Sequence, residues 1–243
     1  MQRILRILMG SIVLIWLVDG ALAQQQPQRN QQGQQQSAIP PALRAAILSG
    51  NSAQIQQAIN TLSGGDPGRA AALALQVVNE AEKMVATNPS GAASVAGAAI
   101  AAVSGNNVIN SAPQAALSVA TIASRIVANP SVSAAAPAMV ATVSMATVQV
   151  ATSPQVYAVS PTAALSVMSS SYTTASLPGV AAASPGALSN ITQNLVTASN
   201  NSAINAAFVE TPAVITAIIT KQPHAVIDNV RETIRQPETA SPT

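Results

Sequence analysis

The chain has 243 residues and no cysteine, and it carries only eight acidic and ten basic side chains. Without a thiol there is no disulfide, no thiolate nucleophile and no Cys-bound metal, so packing alone has to hold the fold together. His224 is the single histidine. A zinc site needs about three or four protein ligands, and the sequence near His224 offers only Asp228. Charge is also missing from the middle of the chain: between Met84 and Val209 the one charged residue is Arg125. Phosphate binding requires clustered Lys and Arg, so no nucleic-acid partner is expected. Aromatic side chains are few, and beyond Trp16 only Tyr157, Tyr172 and Phe208 remain, of which Tyr157 and Phe208 read as core plugs.

These shortages weigh against catalysis. A Ser–His–acid relay would depend on the one histidine, and no serine lies in a Gly-x-Ser-x-Gly elbow. Glu80 and Glu82 stand two residues apart and do not face each other on a helix. Gly64-Gly65-Asp66-Pro67-Gly68 lacks the Lys-Ser/Thr of a phosphate-binding loop and reads as a turn and helix cap. The sequence therefore predicts no catalytic, cofactor-binding or metal-binding residues, no cofactor and no enzymatic activity. Asn190-Ile191-Thr192 and Asn200-Asn201-Ser202 match the glycosylation sequon, which matters only in a eukaryotic host.

What is present begins with Arg3 and Arg6, an apolar run from Ile7 to Val18 and the small-residue site Ala21-Leu22-Ala23. That pattern predicts a secretory signal peptide over 1–23, cleaved after Ala23, and hence a secreted or periplasmic protein. The run is shorter than the roughly 20 apolar residues of a membrane span, so membrane contact is expected only transiently, through the signal peptide. Residues 24–38 are rich in glutamine with almost nothing to bury, and are expected to be a flexible linker.

The middle of the chain is periodic. Pro89, Pro113, Pro137, Pro161 and Pro185 follow one another at 24-residue intervals, and Pro130, Pro154 and Pro178 keep the same period. Six residues after each leading proline stands Val95, Val119, Val143, Val167 or Ile191. Nineteen after it stands Val108, Val132, Val156, Val180 or Ile204. Proline fits the first turn of a helix, and Asn or Ser just before it can cap the free amides, as at Asn88, Asn129, Ser153, Ser160 and Ser184. Each unit thus predicts a longer helix and a short one. The β-branched stretch from Val140 to Thr152 would suit a strand, but a proline-capped start in every unit would interrupt a central strand.

A short helix pair cannot bury its own apolar stripe, whereas stacked pairs share one core. The expected fold is all-α, an α-solenoid of five units over 89–208. Helical caps are expected over 39–88 and 209–236, and a disordered tail over 237–243. In the upstream cap Pro41–Leu62 and Pro67–Thr87 each read as one helical segment. In the last helix of the downstream cap, Val226, Ile227, Val230 and Ile234 read as the inner side, opposite Asp228, Arg231, Glu232 and Arg235. Val143 is expected in the shared core and Ser144 outside it.

The function expected from this organisation is a structural or interaction scaffold in the cell envelope or outside the cell. Its partner would be a protein, a peptide, an envelope polymer or another copy of the chain. A membrane-active or self-assembling surface protein is the alternative, as is ordered-water or ice binding by a Ser/Thr/Ala face around Thr142, Thr147 and Thr152.

Overall fold

Proline at the first helical position, preceded in many cases by a side chain that accepts from the free amides, starts most of the helices. The computed structural model describes residues 39–220, and among them are fourteen α-helices and no strand. The expected signal peptide, the glutamine-rich linker, His224, the stretch from Val226 to Ile234 and the tail lie outside the described residues.

Three helices precede the periodic region: α1 (Pro41–Ser49), α2 (Ser52–Ser63) and α3 (Pro67–Met84). The sequence predicts one segment where α1 and α2 form. Gly50, at φ 65°, ends the first, and Asn51 accepts from the amides of Ala53 and Gln54 to open the second. Glycine reaches that left-handed conformation at no steric cost, so the chain turns there.

The periodic region then alternates long and short helices: α4 (Pro89–Val103), α5 (Asn106–Ser111), α6 (Pro113–Val127), α7 (Pro130–Ala135), α8 (Pro137–Ala151), α9 (Pro154–Val159), α10 (Pro161–Ala175), α11 (Pro178–Ala183), α12 (Ala187–Ser199) and α13 (Ser202–Ala207), with α14 (Thr211–Ile219) following. Asn88, Asn129 and Ser160 accept from amides of the helices they precede. Two expected caps differ. Ser153 makes no cap bond, because its hydroxyl donates to the Gln149 carbonyl instead. Pro185 does not start a helix: Gly186 follows it, the Ser184 carbonyl accepts from the Ala187 amide, and the resulting turn delays α12 by two residues.

Each long helix packs against the next one and also against the next but one, so α4 touches α6 and α8, α6 touches α8 and α10, and α8 touches α10 and α12. Alternate long helices therefore fall into two facing rows, α4, α8 and α12 in one, α6 and α10 in the other. The short helices flank them, with α7 and α11 packed on α8, and α5 and α9 on α6. At the start α2 packs on α4 and α3 on both α4 and α6; at the end α14 packs on α10, α12 and α13.

The core runs along the seam between the rows. The residues six positions after each leading proline, Val95, Val119, Val143, Val167 and Ile191, are buried, as are Val108, Val132, Val156, Val180 and Ile204 nineteen positions after it. Alanine elsewhere lets helices approach closely, each methyl contributing about 0.8 kcal/mol when fully buried. Gly97 on α4 takes this to its limit: a Cβ there would lie 3.3 Å from Met139 Sδ and 3.4 Å from Val143 Cγ2 on α8.

One expectation fails at Ser144. It is as fully buried as Val143, because the next-but-one contact covers a second side of α8 that a simple stack of neighbours would leave open.

Candidate functional site

Four long-range hydroxyl contacts tie the helices together. Ser94 Oγ donates to the Gly50 carbonyl at 2.7 Å, fastening α4 to the end of α1. Thr147 Oγ1 and Ser171 Oγ lie 2.8 Å apart in the buried seam between α8 and α10. Tyr157 Oη lies 2.6 Å from Thr211 Oγ1, whose own hydrogen goes to the Phe208 carbonyl, so the phenol is the donor. Tyr172 Oη donates to the Ile219 carbonyl at 3.1 Å. Burial pushes the Tyr157 hydroxyl above the usual phenol range, an effect the Thr211 hydrogen bond partly offsets. All four contacts join separate helices, and among the described residues none of them includes a carboxylate, a histidine or a lysine.

Two ion pairs form among the described residues. Arg125 Nη2 meets Glu82 Oε1 at 2.7 Å, joining α6 to α3, and Lys83 pairs with Glu80. Thus Glu80 and Glu82 each hold a separate cation. Asp66 Oδ1 accepts from the Arg69 amide at the start of α3, and Glu210 is exposed ahead of α14. No group of three His, Cys, Asp or Glu side chains is placed to hold a metal among the described residues. No helix among them is long and apolar enough to cross a membrane.

Two open spaces among the described residues are shallow. A cleft of about 380 Å³ lies between the α2–α3 turn and the α4–α5 turn, with Asn60, Asp66, Asn106 and Asn107 on its walls and Ala70, Ala102 and Val108 below. A second, of about 350 Å³, runs between α1 and α2 over Ala42, Ala46 and Ala58. The threonines named for an ordered-water face do not share one: Thr142 is exposed, Thr147 buried and Thr152 half-buried. Asn190 and Asn200, the sequon asparagines, are both exposed.

What remains is the solvent-exposed outer side of the two rows. Twelve residues after each leading proline, Ala101, Arg125, Gln149, Thr173 and Thr197 are all exposed, and Thr142, Ser166 and Asn190 are exposed five residues after it. The short helices add Asn106, Asn107, Asn110, Gln155 and Ser202. This surface presents hydroxyls, amides and methyls, and its single charge is paired with Glu82. The sequence reading missed the buried polar residues Thr147, Ser171, Thr174 and Thr211, because serine and threonine count as surface residues unless a partner in space is known. No family model, curated protein or solved structure matches this chain.

Proposed function

We propose that the chain is an exported, non-enzymatic α-solenoid that serves as a structural or interaction scaffold in the cell envelope or outside the cell. Five 24-residue units form the solenoid, and it binds a protein, a peptide or an envelope polymer along its outer surface. The observation that carries this reading is the long uncharged surface of α4 to α13, on which hydroxyl and amide side chains recur at fixed places while every described carboxylate except Glu210 is held in a cap or an ion pair. Solenoids present such continuous faces to elongated partners. The basic and apolar start of the sequence supports export.

The chemistry of the surface fixes the test. Contacts through hydroxyls, amides and methyls are insensitive to ionic strength, whereas contacts between charges weaken as salt shortens the Debye length to about 3 Å at 1 M. The tagged full chain, expressed in its native cell, is expected to be recovered with Gln24 as its first residue and to retain its envelope partner through a 1 M (about 3 Å Debye length) salt wash. Recovery from the cytosol with Met1 intact, or release of the partner by salt, would overturn the reading.

A further inference from the structure

The α4–α5 turn departs from the repeat. Sixteen and seventeen residues after the leading prolines the later units carry Asn129-Pro130, Ser153-Pro154, Leu177-Pro178 and Asn201-Ser202, whereas the first carries Gly105-Asn106. Asn129 and Asn201 accept from amides of the short helices they precede, and Gly105 has no side chain to do so. The backbone does not require glycine there: Gly105 sits at φ −70° and ψ 138°, close to the −69° and 128° of Asn129. Nor does packing require it, since a Cβ on Gly105 would meet nothing within 4 Å beyond its own neighbours in the chain. The first unit thus gives up a cap and a rigid proline that later units use, and a local rule broken with no internal cause points to a function.

Gly105 borders the cleft of about 380 Å³ between this turn and the α2–α3 turn, a volume within the range of small-molecule sites. Asn60, Asn106 and Asn107 line it with three exposed carboxamides. Asp66 accepts from the Arg69 amide through Oδ1 and has a second oxygen to offer. Among the described residues no lysine, arginine or aromatic side chain lines the cleft, so phosphates, carboxylates and flat rings find no partner there. Each carboxamide can donate and accept at once, and the carboxylate accepts, which matches neighbouring hydroxyls on one ring. Ala70, Ala102 and Val108 offer methyl groups to the C–H face of that ring.

We propose that this cleft binds a neutral sugar ring, with Asn60, Asp66, Asn106 and Asn107 taking its hydroxyls and Gly105 left without a side chain to admit it. The site does not rest on export or on the partner of the outer surface, and a sugar fits it either free or as one unit of a polymer. The repeat supplies the test, because the other units show which residues the turn tolerates. Gly105→Asn restores the cap that Asn129 provides and is expected to raise the melting temperature by about 2–4 °C while narrowing the cleft.

The full chain and its variants are titrated with glucose, galactose, mannose and N-acetylglucosamine, each as the free sugar and as its trisaccharide, and binding is read by saturation-transfer NMR. At least one of these sugars is expected to bind with a dissociation constant of about 1 mM or below. Gly105→Asn is expected to weaken that sugar by roughly tenfold or more although the protein melts higher. Asn107→Ala, which shortens an exposed side chain, should weaken it by about threefold with melting unchanged. A trisaccharide bound roughly tenfold more tightly than its monomer makes a glycan the source, and equal binding makes it a free sugar. Failure of every sugar, binding unchanged in Gly105→Asn, or tighter binding of glucose 6-phosphate or of a blocked alanine tripeptide than of any sugar would overturn the proposal.

Discussion

Thr147 and Ser171 stand 24 residues apart and touch through their hydroxyls at 2.8 Å, so equivalent positions of successive units meet across the buried seam. Thr147 uses its own hydrogen on the Ser144 carbonyl and therefore accepts from Ser171. Thr147→Val leaves the Ser171 donor without a partner in the core and is expected to cost about 1–3 kcal/mol. Ser171→Ala removes only a donor and should cost less. The double variant should cost less than the sum, since the same place holds Ala99 and Ala123 in the first two units. Urea unfolding of the four proteins measures the coupling; strict additivity would mean that the two hydroxyls do not interact.

Val143 and Ser144 are both fully buried, and Thr142 beside them is exposed. An aspartate at either buried site has to be desolvated or neutralised, so Val143→Asp and Ser144→Asp are both expected to lose several kcal/mol, and Thr142→Asp little. Ser144 Oγ also has no hydrogen-bond partner, while Ala96 and Ala120 fill the equivalent places. Ser144→Ala should therefore stabilise the protein by about 1 kcal/mol, a rise of roughly 2–4 °C in melting temperature. Melting of Ser144→Asp at the temperature of Thr142→Asp would show that α8 is turned the other way.

Removal of one whole unit should be tolerated at one place in particular. Ala112 and Ala136, which precede Pro113 and Pro137, have nearly the same backbone angles, φ −140° with ψ 53° and φ −143° with ψ 55°. Deletion of 113–136 joins Ala112 to Pro137 in that conformation and keeps the Thr147–Ser171, Tyr157–Thr211 and Tyr172–Ile219 contacts. It removes the exposed Arg125–Glu82 pair, which is worth at most about 1 kcal/mol. The shortened chain should still melt cooperatively at a lower temperature. Deletion of 113–124 leaves the stump of α6 out of register and should abolish the cooperative melt; the same outcome for both deletions would argue against stacked units.

Tyr157 gives stability an alkaline limit. Its folded-state pKa lies above the usual phenol value of about 10, so the folded protein holds the proton more tightly than the unfolded chain. The stabilisation is complete below that unfolded value and is lost as pH rises through the folded one. Thermal melts across the range above pH ~10 should fall less steeply for Tyr157→Phe than for the parent. At neutral pH the variant should be weaker by about 1 kcal/mol, the worth of one hydrogen bond. Parallel alkaline profiles would mean that the phenol is not sealed against Thr211.

Where helices start was written locally in most cases. An amide or hydroxyl ahead of proline satisfies free amides wherever the chain is placed, so Asn88-Pro89, Asn129-Pro130 and Ser160-Pro161 are legible without any neighbour. Pro185 misled because the Ser184 carbonyl takes the Ala187 amide in a turn, so that α12 starts two residues beyond the proline. The Val and Ile columns were legible for a similar reason: a period shows which positions are equivalent, and branched side chains kept at equivalent positions are core.

A period does not say which neighbour an equivalent position meets. Helices such as α4 carry small apolar residues nearly all round, so their sequence does not point them in one direction. Only the tertiary structure decided that each long helix touches the next but one, which buries Ser144 and brings Gly97 against Met139 and Val143. It likewise decided that Arg125 faces Glu82 and that Tyr157 reaches Thr211. Those pairs are 43 and 54 residues apart in sequence, beyond anything local chemistry can specify, and the row in which each helix lies is what brings them together.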